Sequence, residues 1–297
     1  MNAPREPLGR PEPWPAPGKL NLFLHVVGRR ADGYHLLQTA FQFIDLCDEI
    51  HLWRRPAGVI ERVGELPGVP AESDLTVRAA RRLAARAGAA HPGVAIEVRK
   101  RLPMQGGVGG GSSDAATVLV ALNELWGLGL KSAELAAIGV ELGADVPVFV
   151  NGSAALAEGI GEQLTPADFP EPVYLLVRPD ATVSTGDVFK DPELTRDSPA
   201  IKIRDSLTMG GRNDCEPVVR RRFPVVAEAL DWLGQFGPAR LTGTGSCVFA
   251  VMPSDTAARA ALACLPARWS GHVVRGLNCS PLLGRLGLEQ SEPGPGR

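Results

Sequence analysis

Between Leu102 and Ala115 the chain reads Leu-Pro-Met-Gln-Gly-Gly-Val-Gly-Gly-Gly-Ser-Ser-Asp-Ala, with five glycines in six consecutive positions. No ordinary turn requires that density, and each glycine adds chain entropy that folding must overcome. The segment follows a strand-like stretch and ends in Ser112, Ser113 and Asp114, residue types that cap a helix expected to begin near Ala115. A strand, a glycine loop and a helix N-terminus together make an anion site. With no Cβ in the way, backbone N–H groups close on phosphate oxygens, and the helix dipole adds a favourable field. Phosphate binding is the reading; a glycine-rich surface loop is the bland alternative. The pattern is not a Walker A loop, since Gly18-Lys19 is followed by Leu20. Nor do its spacing and Ser-Ser ending fit a dinucleotide fingerprint.

The elements that must hold this loop follow from hydrophobic period. Leu20, Leu22, Leu24 and Val26 alternate with Asn21, Phe23 and His25, as a strand does; Asp48–Trp53 and Val94–Val98 alternate likewise. Lys19 and Asn21, two residues apart, fall on one face of the first strand. Helices are expected at Leu75–Ala87 (stopped by Gly88), Ala115–Trp126 and Ser132–Leu142. In the second half Val173–Val177, Cys247–Met252 and His272–Leu277 read as strands, Pro224–Phe236 and Asp255–Leu265 as helices. Strands and helices do not alternate strictly, so the fold class expected is α+β. A first lobe over 15–158 and a second over 159–288 are the expected division. Residues 1–14 are Pro-rich and 289–297 polar, and both are read as disordered tails.

Composition narrows the function classes. Of 297 residues 44% are hydrophobic and 22% charged, ordinary for a folded domain with a sizeable core. A formal net charge of -2 argues against a general nucleic-acid or membrane-surface binder. The five cysteines (Cys47, Cys215, Cys247, Cys264, Cys279) form no C-x-x-C pair, which argues against a disulfide framework or structural zinc. No apolar run approaches a membrane span, and the N-terminus does not resemble a signal peptide. A reduced, cytoplasmic protein is expected.

Pro103 through Ala115 resembles the second motif of the galactokinase, homoserine kinase, mevalonate kinase and phosphomevalonate kinase superfamily. Pro17-Gly-Lys-Leu-Asn-Leu22, Arg30-Ala-Asp-Gly-Tyr-His-Leu36 and Leu142-Gly-Ala-Asp-Val-Pro147 resemble one branch of it, the 4-diphosphocytidyl-2-C-methyl-D-erythritol kinases. Leu241–Ala250 resembles the third superfamily motif, and the likeness runs from about Pro15 to Leu283. It implies two lobes with the active site between them, the second ferredoxin-like. The activity implied is ATP-dependent phosphorylation of the substrate's 2-hydroxyl in non-mevalonate isoprenoid precursor biosynthesis, with Mg²⁺ accompanying ATP. Asp145 is implied as the group that takes the alcohol proton, with Lys19 holding carboxylate and hydroxyl in place. Lys100, Pro103, Gly106, Gly107, Gly109, Gly110, Gly111, Ser112 and Ser113 are implied to bind ATP. Gly243, Thr244 and Gly245 are implied to lie near the phosphates. For the substrate the resemblance implies Asn21, Thr185, and a cytosine site in which Tyr34 and Phe189 supply the two faces and His35 the edge. No metal ligand is assigned, Ser112 and Ser113 being candidates. Partners reduce to the small substrate, with a monomer or homodimer expected.

Two positions depart from the branch. Gln105 stands where glycine is usual, implying a stiffer or displaced loop. Asp74 stands where asparagine is common near the adenine; it cannot donate as asparagine does, though it suits a helix N-cap. Two other readings stay open: another small-molecule kinase of the superfamily, of homoserine or mevalonate type, and a non-catalytic nucleotide-binding module.

Overall fold

The computed structural model describes residues 6–9, 12–88, 92–201 and 211–287. The tail expected to be disordered from residue 289 lies outside the described residues. Two long antiparallel strands, β1 (Trp14–Arg29) and β2 (His35–Arg55), organise the first half, with Lys19 opposite Phe43 and Asn21 opposite Phe41. Both run well past the segments that alternate cleanly in sequence. Register shifts between Pro17 and Lys19, Asn21 and Phe23, and Val26 and Gly28 explain this, because each irregularity breaks the two-residue period. The leader is not loosely ordered where described: Leu8 is buried and donates its N–H to Leu52 O at 2.8 Å.

β3 (Ile60–Val63) pairs in parallel with β4 (Gly93–Arg99) through the crossover helix α1 (Leu75–Ala87), and β4 pairs antiparallel with β2. Helix α1 starts where Asp74 Oδ1 accepts from Thr76 N at 2.8 Å, the N-cap its residue type suggested. Behind the sheet lie α2 (Gly110–Leu125), α3 (Ser132–Val140) and α4 (Val146–Asn151). Helix α2 is buried all round from Ser113 to Leu122, as expected of a helix packed between sheet and α1. Leu83, Ile96, Leu119 and Leu122 are fully buried in this core, each worth about 2 kcal/mol of transfer free energy.

After β5 (Ala155–Glu158) and β6 (Gln163–Pro166), a second antiparallel unit begins with β7 (Val173–Arg178). It continues through α5 (Thr185–Lys190), α6 (Glu216–Arg222), α7 (Pro224–Leu233), β8 (Ala239–Leu241), β9 (Val248–Met252), α8 (Asp255–Ala263) and β10 (Ser270–Leu277). The strand order β10-β7-β9-β8 is fourth, first, third, second within this half, the ferredoxin-like arrangement. The α+β class therefore holds, with two units and a cleft between them. The units are fused: β10 pairs with β2 at Gly276 and Ile44, and Leu24 and Val26 of β1 enter the second core. β6 and the last helix, α9 (Pro281–Arg285), pack with the first unit, so the cores do not divide at 158/159.

Candidate active site

Helix α2 begins at Gly110, five residues before the expected start, with Gly109 as N-cap in the left-handed region at φ 73°. Ser113 and Asp114 are therefore buried helix residues and not caps. The amides at the start of α2 have no partner inside the helix and face the cleft, the arrangement an anion requires. The glycines serve packing as much as ligand access. A Cβ on Gly107 would lie 2.2 Å from Thr242 O, so only glycine lets the loop lie backbone to backbone against the third-motif turn. A Cβ on Gly109 would meet the Phe149 ring at 2.8 Å and Lys19 Cε at 3.2 Å. Val108 O accepts from Lys19 N at 3.0 Å and Gly106 O from Cys247 N at 3.1 Å, pinning the loop between the two units. Gln105 adopts φ 55°, keeping the glycine-like backbone conformation at the strain a side chain brings there.

Two cavities meet at this loop. The larger, about 550 Å³, is lined by Leu66, Asp74, Lys100, Pro103 and the glycines. The smaller, about 360 Å³, is lined by Lys19, Asn21, Leu37, Asp145 and Phe189. Gly107, Gly109, Ser112 and Thr185 line both, so they form the shared wall. Thr185 Oγ1 lies 2.9 Å from Thr244 Oγ1, closing that wall from the side of the second unit. Ser112 lines both cavities, whereas the buried hydroxyl of Ser113 has no hydrogen-bond partner among the described residues.

Lys19, 2% exposed, projects from β1 into the smaller cavity, its ammonium 3.4 Å from Asp145 Oδ2. Nζ also donates to Asn21 Oδ1 at 2.5 Å and to Gly107 O at 3.1 Å. The Asn21 carboxamide is thus committed within the protein: its Nδ2 donates to Thr39 Oγ1 at 2.9 Å and its Oδ1 orients Lys19. Asn21 N donates to Thr242 Oγ1 at 3.0 Å, and Asn213 Nδ2 donates to Gly243 O at 2.7 Å. These bonds fix the Thr242–Gly245 turn over the loop. Asp145 stands at the N-terminus of α4 with its side chain 34% exposed, open to a ligand in the smaller cavity.

Lys100 does not reach freely into the larger cavity. Its ammonium sits between Asp48 Oδ2 and Asp114 Oδ2, the latter at 2.7 Å. Asp48 also accepts from Arg101 N at 2.6 Å and Leu102 N at 2.8 Å, so it is the better hydrogen-bonded carboxyl of the pair. Among the described residues Asp114 Oδ1 has no partner, and burial pushes its carboxyl up to about 8; the Lys100 charge opposes that shift and the Asp48 charge adds to it. One ammonium faces two buried carboxyls here, and the one with fewer hydrogen bonds, Asp114, is the one that burial shifts upward. Sequence reasoning missed both acids. An aspartate inside a glycine-serine run was the only signal available for Asp114.

The residues expected around cytosine are brought together in part. His35 and Phe189 stack with ring centroids 5.0 Å apart at 27°. Tyr34 is 60% exposed, and only Phe189 of the three lines the smaller cavity. Arg196, which sequence reasoning did not single out, donates from Nε to His35 Nε2 at 3.1 Å. Burial first, then Arg196 and Arg29, lowers the His35 imidazole below its ordinary value.

The cleft between an α+β unit and a ferredoxin-like unit, with a glycine loop at a helix N-terminus, is that of a GHMP kinase, an ATP-dependent phosphotransferase. The family models for the GHMP kinases N terminal domain and the GHMP kinases C terminal match residues 74–153 and 197–271. The chain is 59% identical to the 4-diphosphocytidyl-2-C-methyl-D-erythritol kinase of Nitrosococcus oceani, over 91% of this chain and 96% of that one. It is 60% identical to the kinase of the same name from Halorhodospira halophila, over 91% and 94% of the two chains. A crystal structure of 4-(cytidine 5'-diphospho)-2C-methyl-D-erythritol kinase matches with TM-score 0.76 at 33% identity, covering 89% of this chain and 99% of that one. A mevalonate kinase crystal structure, at 15% identity and TM-score 0.67, shares the fold. This chain belongs to the 4-diphosphocytidyl-2-C-methyl-D-erythritol kinase family.

Proposed function

We propose that this protein transfers the γ-phosphoryl group of ATP to the 2-hydroxyl of 4-diphosphocytidyl-2-C-methyl-D-erythritol, in isoprenoid precursor biosynthesis. The observation that carries the reading is the wall common to the two cavities, made of Gly107, Gly109, Ser112 and Thr185. A nucleotide in the larger cavity ends its phosphates where an alcohol in the smaller one begins. In-line transfer asks for that geometry.

In this reading Asp145 accepts the hydroxyl proton as the new oxygen–phosphorus bond forms and the bond from γ-phosphorus to the bridging oxygen of ADP breaks. The Lys19 ammonium orients Asp145 and the attacking oxygen, and Asn21 orients Lys19. The amides at the start of α2 and the Thr244 turn stabilise negative charge on the moving group. Mg²⁺ is part of the proposal. It takes oxygen ligands and keeps company with phosphate, so the Ser112 hydroxyl beside the phosphate oxygens suits it, while the enclosed Ser113 does not. Bound there it neutralises phosphate charge. Phe189 supports the cytidine part of the substrate, with His35 and Tyr34 beside it. Among the described residues no helix is long and apolar enough to cross a membrane. A cytoplasmic monomer or homodimer completes the reading.

The test is coupled ADP release with Mg-ATP against the cytidine diphosphate compound, homoserine and mevalonate. Turnover on the cytidine compound alone supports the reading. Turnover on a plain alcohol would replace the substrate, and ATP binding without any turnover would make the protein a binding module.

A further inference from the structure

Among the described residues Arg196 makes four hydrogen bonds, all as donor, as a guanidinium must. Its terminal nitrogens reach Phe189 O at 2.9 Å, Asp191 O at 2.8 Å and Leu194 O at 3.0 Å. Its Nε reaches His35 Nε2 at 3.1 Å. The three carbonyl bonds fix the plane of the fork, and Asp191 is itself held by Arg221 at 2.7 Å. The fourth bond crosses from the second unit to the start of β2 in the first. One cation therefore holds both members of the stacked His35–Phe189 pair, the ring of one and the backbone of the other.

The direction of the fourth bond has a chemical consequence. A guanidinium cannot accept, so His35 Nε2 must offer its lone pair, and a neutral imidazole with an accepting Nε2 carries its proton on Nδ1. Burial first, then the cations Arg196 and Arg29, disfavours the imidazolium form of this ring. The remaining edge of His35 is then an N–H donor. Cytosine presents acceptors at O2 and N3, whereas uracil presents an N–H at position 3. A donor facing uracil's N–H is left without a partner.

We propose that Arg196 is a positioning residue for base recognition, holding His35 as the Nδ1–H tautomer against Phe189 so that the site accepts a cytosine and disfavours a uracil. The inference rests on the cytidine-substrate reading above and adds the group that sets its base preference. Arg196 is not a catalytic residue, because it acts on the substrate through His35 and Phe189.

The decisive experiment pairs imidazole ¹⁵N spectra with kinetics on the full-length enzyme. In wild type, His35 is expected to show its proton on Nδ1, and the cytidine compound to be preferred over its uridine counterpart by about tenfold or more in kcat/KM. Arg196→Met is expected to raise KM for the cytidine compound about tenfold, with kcat and the KM for ATP within about twofold, and to erase the base preference. Arg196→Lys, which keeps the charge without the fork, is expected to fall between. A merely structural role would alter ATP handling and kcat as well. A wild-type His35 protonated on Nε2, or an Arg196→Met enzyme with unchanged KM and base preference, would overturn the proposal; if the variant fails to fold, the wild-type spectrum decides. A wild-type enzyme inactive on the cytidine compound would instead remove the reading beneath it, a failure visible before any variant is made.

Discussion

The Lys19 ammonium lies 3.4 Å from Asp145 Oδ2, an ion pair joining a buried lysine of β1 to a half-exposed acid at the start of α4. Neither residue carries meaning alone in the sequence. Together they form a charged pair in the smaller cavity, with Lys19 Nζ bonded to Gly107 of the shared wall. Lys19→Met keeps the length of the side chain and removes the charge. We expect kcat to fall about 10²–10⁴-fold with ATP affinity within a few-fold of wild type. Stopped-flow ADP release and calorimetric ATP titration measure the two quantities, and an equal loss in both would assign Lys19 to nucleotide binding.

Gly107 and Gly111 separate packing from ligand access. A Cβ at Gly107 falls 2.2 Å from Thr242 O on a backbone at φ +78°, while one at Gly111 meets only Leu75 Cδ1 at 3.7 Å. Gly107→Ala is expected to destabilise the protein by about 2–4 kcal/mol, from strain and forced separation of the two units. Gly111→Ala is expected to stay within about 1 kcal/mol of wild type. Urea unfolding of both variants checks this; equal stabilities would mean the loop is not packed as described.

Much of the fold was legible because its cores follow simple periods: α1 and the buried strands β4, β7 and β9 fall where alternation and helical spacing set them. The misplaced start of α2 has a clear cause. Glycine is a poor helix former, so Gly110 and Gly111 read as loop, and Ser112–Asp114 read as caps. Tertiary contact with Lys19, Phe149 and the third-motif turn overrides that preference. The Lys100–Asp48–Asp114 cluster was illegible because its members come from β2, the end of β4 and α2. Arg196 was invisible for the same reason, its partner His35 lying 161 residues away.

Asp114 gives a pH dependence of known sign. Its folded carboxyl is raised from 3.8 to about 8, chiefly by burial, so the folded state holds a proton that the unfolded state releases. Stability from this group is complete below about pH 4 and is lost as pH rises toward about 8, with a slope of up to about 1.4 kcal/mol per pH unit. Asp114→Asn, which keeps the shape without the titration, is expected to flatten that part of the curve. Denaturant unfolding between pH 5 and 9 decides it, and parallel curves for the two proteins would show that Asp114 does not hold the proton.

In the proposed reaction Asp145 takes the proton of an alcohol held beside the phosphates of ATP. Asp145→Asn removes the base and leaves size and hydrogen-bonding reach nearly unchanged. In a coupled ADP-release assay with Mg-ATP and 4-diphosphocytidyl-2-C-methyl-D-erythritol, wild type is expected to turn over and kcat of the variant to fall by about 10² or more. ATP binding should stay within about threefold, since Asp145 lines the smaller cavity and not the larger one proposed for the nucleotide. A variant retaining more than about a tenth of wild-type kcat, with chemistry rate-limiting, would rule out Asp145 as the base.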